Sequence, residues 1–190
     1  MANDTTGNPL YLDTEGIVSV RPLVIKKIIW KPNATGEATT FTYWATSEDP
    51  ITNGTKNAVT TTVTASTGTF ASTGNFPTAN VNPNQVLVVS KTSSGDNIGI
   101  WQIATNADND TITVDKPATI FGQSVTLADD TTESYSWKIF DVHTFLTVQG
   151  SGITGDTGLV QIDFLNGGIT LPNLAMHTLS ASGVAYIFLL

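Results

Sequence analysis

Short runs of alternating apolar and polar residues recur along the whole chain, and no window of helical length keeps an amphipathic apolar stripe. Clusters of Gly, Asn, Asp and Ser separate these runs, as turns between strands require. The pattern predicts an all-β protein with strands at residues 23–30, 39–45, 58–64, 86–91, 98–104, 111–114, 135–140, 144–148, 159–164 and 184–189.

The predicted strand at residues 23–30 is long. Strict alternation divides its side chains between two faces, with Val24, Lys26 and Ile28 on one and Ile25, Lys27 and Ile29 on the other. The turn-forming residues 32–36 follow, so we expect a β-hairpin with the strand at 39–45.

Composition shifts near Ser47 and again near Tyr135, and residues 46–79 are rich in Thr, Ser, Gly and Asn. Many short strands at this spacing are typical of antiparallel sandwiches and small barrels. We predict an outer, jelly-roll-like antiparallel β-sandwich from residues 1–46 and 141–190. A small β-barrel domain, residues 47–140, is inserted into it, as exposed loops tolerate.

Charge and cysteine content exclude several classes of function. The chain has no cysteine, which excludes disulfides and thiolate chemistry. A net charge of −8 repels phosphate backbones and anionic membranes, so we expect neither nucleic acid nor membrane as a partner. Arg21, Lys26, Lys27 and Lys31 form a basic group that indicates a solvated face, with a local phosphate contact as the alternative. We expect no signal peptide and no membrane span.

Two glycine-containing motifs have catalytic counterparts. Residues 150–155 match GxGxxG, but an alternating strand pattern follows where a dinucleotide site needs a helix. Asp156 opens an Asp-Thr-Gly tripeptide of the kind found in aspartic proteases, where a second carboxylate must share the proton. One copy per chain would require a homodimer, so we expect both segments to be turns.

Asn106, Asp108 and Asp110 alternate like the first ligands of a calcium loop. Thr111 stands where that loop needs Gly, and Pro117 stands where it needs a bidentate Glu. We expect a hairpin turn here, with a weak cation site as the alternative.

Asp141 and His143 are two residues apart and are expected to share one face of a strand, as two members of a Ser-His-Asp arrangement would. No nucleophile turn accompanies them, and His177 is the only other histidine. We therefore predict no catalytic residues, no cofactor and no metal site, and we expect Asp156 and His143 to lie in turns or at strand ends.

Aromatic side chains lie mostly inside the strand patterns, where large rings usually fill a core. The alternative is a stacking platform for sugars. These residues are Trp30, Tyr43, Trp44, Trp101, Trp137 and Tyr186.

Three segments together resemble a group of small structural proteins of tailed bacteriophages. Residues 8–14 match the motif NPLxLDT, residues 24–30 form an apolar strand ending in IxW, and residues 182–189 resemble SGxxYxYL. In that group these motifs build a compact β-sandwich. The resemblance covers about half of the chain, and the long insertion is a departure from it.

The insertion resembles a small β-barrel module common in phage head and tail proteins. Residues 82–89, 99–103 and 110–114 are similar to its GDxLxI, GxYxI and TxLTV strands, and residues 68–70 precede them. Asn84 and Gln85 stand where the module has its Gly-Asp turn.

The resemblance implies a bacteriophage virion structural protein, made in the host bacterial cytoplasm and located on the capsid surface. The expected role is a capsid decoration, or cement, protein that binds and stabilises the assembled head shell. Its partners would be the major capsid protein and copies of itself, for instance in a trimer. The alternatives are a head–tail connector, a tail or head-fibre subunit, and a carbohydrate- or receptor-binding β module.

The N-terminal arm is polar and buries little apolar area, so we expect contacts with another chain to order it. Leu10 and Leu12 alternate with Tyr11 and are expected to anchor the arm as an edge strand. We further expect removal of residues 1–8 to leave the melting temperature nearly unchanged. The candidate inter-subunit contacts are Ala2, Asn3, Asp4, Thr5, Thr6, Gly7 and Asn8.

Overall fold

The computed structural model describes residues 4, 7–45, 51, 54–117, 119–120, 123–124, 126–151, 153, 158–165, 167–179 and 183–190. In these residues the chain forms antiparallel strands and one 3-10 turn, Ala65–Thr67, which confirms the all-β prediction. The chain divides into two compact units. One, the sandwich unit, comprises Met1–Tyr43, Thr119–Gln123 and His143–Leu190; the other, the barrel unit, comprises Trp44–Ala118 and Ser124–Val142.

The sandwich unit contains two antiparallel sheets. The first, called the β3 sheet, has the order β1 (Leu10–Leu12), β17 (Val184–Leu189), β3 (Leu23–Lys31) and β14 (Val160–Asp163), with β15 (Ile169–Leu171) also paired to β3. The second, called the β4 sheet, has the order β13 (His143–Gln149), β4 (Ala38–Tyr43), β16 (Leu174–Leu179) and β2 (Gly16–Ser19). Ile28 and Trp30 of the first sheet and Phe41 and Met176 of the second share one buried core, as in a β-sandwich.

The barrel unit is a closed antiparallel barrel. Its strand order is β12 (Asp130–Phe140), β5 (Thr55–Thr64), β6 (Thr69–Ala71), β9 (Thr111–Pro117), β8 (Gly99–Asn106) and β7 (Val86–Thr92), and β7 pairs again with β12. Closure leaves no open strand edge in the barrel. Its core is rich in aromatic rings, including Phe70, Phe76, Trp101 and Trp137.

The division differs from the predicted domain limits by two or three residues at the boundaries, which fall at Tyr43 and His143, and in one internal segment. Thr119–Gln123 lies inside the predicted insertion but belongs to the sandwich unit. Strand β10 (Thr119–Ile120), which pairs with β11 (Gln123–Ser124), lies against β2. This segment has too few residues for its sequence to show the apolar–polar alternation of a strand.

The predicted hairpin between residues 23–30 and 39–45 is wrong. β3 and β4 belong to different sheets, and the connection between them crosses the sandwich. Gly36 adopts a φ of 72°, and the Gly150 N–H donates to the carbonyl of Glu37 at 2.9 Å. A turn-rich segment can connect two strands of one hairpin or two strands of different sheets. The apolar faces of these two strands are buried better by packing across a core than by lying side by side in one sheet.

The strict alternation predicted for β3 is also wrong. Ile25 and Ile28 are both fully buried, because Phe188 pairs with Lys27 while the next residue, Leu189, pairs with Ile25. Lys26 is therefore an extra residue, a β-bulge, and it is exposed. The bulge shifts the inward face by one residue, so that Ile25, Ile28 and Trp30 all reach the core.

All of the predicted strands are present, but the alternation pattern did not predict several others. β1 confirms the expected edge strand at Leu10–Leu12 and pairs with β17. β2, β6, β10, β11 and β15 have two to four residues each, too few to establish alternation. β16 buries Leu174, Ala175 and Met176 in succession, because two register shifts interrupt its pairing with β2 and β4.

Candidate functional site

The three segments on which the phage resemblance rests are neighbouring strands of one sheet. The order β1, β17, β3 brings the N-terminal, C-terminal and Trp30 motifs side by side. Asn8 fastens two of them: its Nδ2 donates to the Leu189 carbonyl at 3.1 Å, and its Oδ1 accepts from the Leu189 N–H at 2.9 Å. Residues far apart in the sequence thus form one structural unit.

A glycine and a tryptophan join the C-terminal motif to the Trp30 motif. The Trp30 ring is fully buried, and its Nε1 donates to the Glu37 carbonyl at 3.3 Å. A Cβ atom added to Gly183 would lie 2.0 Å from Cη2 of Trp30. Only glycine leaves room for the indole at this position.

The outer face of the β3 sheet combines aromatic and basic side chains. The rings of Tyr11 and Tyr186 meet edge to face with centroids 5.6 Å apart. Lys27 places Nζ 4.6 Å from the centroid of Phe188, a cation–π contact. Lys26 and Lys31 are exposed on the same strand. The three lysines of the predicted basic group therefore lie on β3, where they can take part in protein contacts, and Arg21 lies in the exposed connection before this strand.

The N-terminal arm has contacts within its own chain. Asp4 and Tyr11 exchange backbone hydrogen bonds of 2.8 and 2.9 Å, and Asn8 bonds to Leu189 as described above. Asp4 and Asn8 therefore have partners within their own chain, and ordering of the arm chiefly by another chain stays a prediction. Gly7 lies between them, and contact with another subunit stays a prediction for all three residues. Ala2, Asn3, Thr5 and Thr6 lie outside the described residues.

The four segments that resemble the phage barrel module lie in or beside consecutive strands of the closed barrel, β6, β9, β8 and β7. Asn84, which replaces a glycine of that module, has a φ of 72°, a conformation that Asn tolerates better than most residues. Buried Gln85 accepts from the Asn82 N–H at 2.7 Å and donates to the Asp141 carboxylate at 2.8 Å. The substituted pair therefore still forms an ordered turn.

A buried polar network in the barrel was not anticipated from the sequence. The Asp130 carboxylate is 7% exposed and accepts from the Tyr135 hydroxyl and, at 3.1 Å each, from Ser94 Oγ and Asn97 Nδ2. Asn97 Nδ2 also donates to the Tyr135 oxygen at 2.8 Å and to the Ala128 carbonyl at 3.0 Å. The network ties the β7–β8 turn to the beginning of β12.

Burial, followed by the hydrogen bond to Asp130, raises the pKa of Tyr135 above the usual tyrosine value. A phenol that donates to a carboxylate in a closed core is stabilised in its neutral form. The groups of the network bond to one another, and this mutual bonding holds the turn and the strand together. Sequence reasoning missed it because its members, at 94, 97, 130 and 135, show no recognisable spacing.

Asp141 and His143 do not share a strand. β12 ends at Phe140 and β13 begins at His143, so Asp141 lies in the link between them. The Asp141 carboxylate accepts from Gln85, while the His143 ring lies 5.4 Å from that of Tyr43. The expectation of one shared face is wrong, and the placement of His143 at a strand end is confirmed.

The suspected calcium loop is the hairpin turn between β8 and β9. Its two carboxylates bond locally: Asp108 Oδ1 accepts from the Asp110 N–H, and Asp110 Oδ1 accepts from the Gly74 N–H, whereas the buried Asn106 Oδ1 has no hydrogen-bond partner among the described residues. Asn106 donates to the carbonyls of Phe76 and Val81. The side chains hold adjacent loops in place, as a structural turn would.

The glycine motif at 150–155 lies between β13 and β14, so a strand follows it, as predicted. A Cβ on Gly150 would lie 2.8 Å from Cγ of Pro32, which explains the need for glycine there. Asp156 lies outside the described residues.

All four tryptophans are buried, Trp30 and Trp44 at 0% exposure and Trp101 and Trp137 at 1%. The prediction that they fill cores is confirmed, and none can stack on a sugar at the surface. Tyr43 and Tyr186 are partly buried.

A shallow cavity of about 420 Å³ lies on the barrel wall, lined by Thr60, Thr62, Ser72, Thr73 and Asp110 among others. It has no aromatic ring in its lining. Within the described residues, no three His, Asp or Glu side chains are grouped so as to hold a metal. No helix found there has the length and apolar character needed to cross a bilayer.

Comparison with protein-family models, curated proteins and solved structures gives no match for this chain.

Proposed function

We propose that this chain is a bacteriophage virion structural protein that decorates the assembled head. In this role it binds the outside of the capsid, bridges neighbouring major capsid subunits and stabilises the shell against internal pressure. The protein acts by binding and has no catalytic step, cofactor or metal. Its partners are the major capsid protein and other copies of the same chain.

One observation carries the proposal: the three segments with the phage resemblance pack as adjacent strands β1, β17 and β3. Asn8 contacts Leu189 and Gly183 contacts Trp30, so the motif residues depend on one another sterically. Motifs that occurred by chance would not be expected to meet in this way. The inserted barrel adds a second module with its own core.

The buried tryptophans favour this role over the carbohydrate-binding alternative. A sugar platform needs exposed aromatic faces, whereas exposed apolar side chains are typical of protein contacts. The described chain exposes Ile153, Leu159, Leu165 and Leu190 from the sandwich unit by 64–82% of their surface. These residues lie outside the core and are available to a protein partner.

We expect purified virions to contain this chain at a copy number comparable to that of the major capsid protein. Repetition over the shell multiplies individually weak contacts. Quantitative mass spectrometry of virions, with the major capsid protein as internal standard, measures the ratio. A few copies per particle would instead indicate a connector, tail or fibre subunit, and absence from the particle would contradict the whole proposal.

The arm can be tested by removing residues 1–7, which keeps Asn8 and its bonds to Leu189. We expect the melting temperature to change little, because the loss at an exposed edge is about 1 kcal/mol. Binding to purified shells, measured by co-sedimentation, should fall at least about tenfold.

Asn8→Ala in the full-length chain is the matched control. It removes the two exposed bonds to Leu189 but keeps the arm, so it should change the melting temperature about as little as the truncation, which removes the two bonds between Asp4 and Tyr11, and it should leave shell binding intact. If the truncated protein bound shells as tightly as the full chain, the interface would have to lie elsewhere.

A further inference from the structure

Strand β14 forms one edge of the β3 sheet, and no described strand pairs with its outer side. Two very exposed apolar side chains flank it, Leu159 at 64% and Leu165 at 82% exposure. β14 contains no Lys, Pro or bulge, and of the features by which edge strands avoid pairing with other chains it has only its short length and the charge of Asp163. Unpaired backbone groups between two exposed leucines are suited to accept another strand.

The hydrogen bonds within the sheet identify which backbone groups face outward. The N–H of Phe164 donates to the Lys26 carbonyl at 2.9 Å, so the backbone of Phe164 points toward β3. These directions alternate along an antiparallel strand. The backbone groups of Ile162 therefore also point toward β3, and those of Gln161 and Asp163 point to the open edge.

The sequence around β14 is complementary to itself. If a second copy lies antiparallel with a two-fold axis at Ile162, Gln161 faces Asp163 of the second copy and Leu159 faces Leu165. An amide then lies opposite a carboxylate and a leucine opposite a leucine, both favourable cross-strand pairs. Gln161 Nε2 already donates to Asp163 Oδ2 at 2.7 Å within the strand, so these side chains share the outer face.

The backbone groups that face the open edge can form hydrogen bonds in this same register. Gln161 and Asp163 both direct their N–H and C=O groups to the edge, so each pair of these residues can exchange two hydrogen bonds. The partly buried Val160 and Ile162 keep their side chains on the core side, where Ile162 would meet its own counterpart.

We propose that two copies of the chain associate through β14, continuing the β3 sheet across a two-fold axis at Ile162. The occupant of the open edge is thus the same strand of a second copy. The interface closes at two copies, whereas a trimer would need a different contact. This inference rests on the self-association included in the proposed function, and it requires no shell.

Sedimentation equilibrium of the full chain over a concentration series tests the oligomeric state. We expect a reversible monomer–dimer equilibrium; a strict monomer or a trimer would overturn the proposal. Gln161→Pro should raise the dimer dissociation constant at least about tenfold, because it removes an edge-facing N–H without breaking a bond to β3. Gln161→Thr keeps that N–H and loses only the amide, so its dissociation constant should rise much less than that of Gln161→Pro.

A single introduced cysteine tests the register, since the native chain has none. On the axis, Ile162→Cys places two thiols in a non-hydrogen-bonded pair with Cα atoms about 4.5 Å apart, within reach of a disulfide. Gln161→Cys lies two positions away from its counterpart, too far for a disulfide.

We expect mild oxidation to give a covalent dimer of the first variant and not of the second, on non-reducing gels. Equal cross-linking of both, or of neither, would overturn the register. A chain that fails these tests but still decorates virions would refute this interface and leave the proposed function standing.

Discussion

Trp30→Ala should destabilise the sandwich unit by about 3–5 kcal/mol, the usual cost of deleting a large buried aromatic ring. The indole is fully buried in the core between the two sheets and lies against Gly183. Chemical denaturation followed by circular dichroism measures the loss. Tyr186→Ala, on the partly exposed outer face of the same sheet, is the control and should cost less.

The contact with Gly183 gives this prediction a second, independent check. Gly183→Ala in the native chain should cost about 1–3 kcal/mol through overpacking, because the new Cβ would fall inside the indole. In the Trp30→Ala background the same substitution should cost much less, since the ring is gone. Additive effects of the two substitutions would show that the two residues do not touch.

Asp130→Ala should destabilise the barrel unit by about 3 kcal/mol, because hydrogen bonds to a buried carboxylate are lost and two of their donors, Tyr135 and Asn97, remain buried. Tyr135, Ser94 and Asn97 all donate to Asp130. Asp96→Ala removes an exposed carboxylate from the same turn and should change the unfolding free energy little. Similar losses in both variants would assign the effect to net charge.

The pH dependence of the barrel offers a further readout of the same network. The pKa of Tyr135 is raised in the folded state, whereas an unfolded tyrosine loses its proton at about pH 10. Its contribution to stability is therefore complete below about pH 10 and declines above it, by up to about 1.4 kcal/mol per pH unit. Tyr135→Phe should weaken this alkaline decline; an unchanged decline would contradict the assignment.

The sequence showed most of the segments that form the candidate binding surface, but it did not show the contacts between those segments. The motif at residues 8–14 and the terminal strand were recognised separately, yet nothing in either segment indicates that Asn8 bonds to Leu189. Hydrogen bonds between residues 181 positions apart depend on the sheet order. The free edge of β14 likewise becomes visible only when the pairing of β3 is known.

The sequence by itself determined the all-β class, the positions of most of the longer strands and the burial of the tryptophans. Alternation of apolar and polar residues is a local property, and a regularly paired strand of six or more residues displays it, whereas β16, whose pairing is interrupted by register shifts, does not and was missed. Short strands such as β2 and β15 lie below that limit, and they were missed.

Only the tertiary structure decided which strands pair and which side of a strand faces inward. β3 and β4 follow one another along the chain yet lie in different sheets, because burial of their apolar faces outweighs the preference for a local hairpin. The bulge at Lys26 moves Ile28 to the core side through pairing with β17, a strand more than 150 residues away. Non-local pairing sets such registers, and local periodicity carries no information about them.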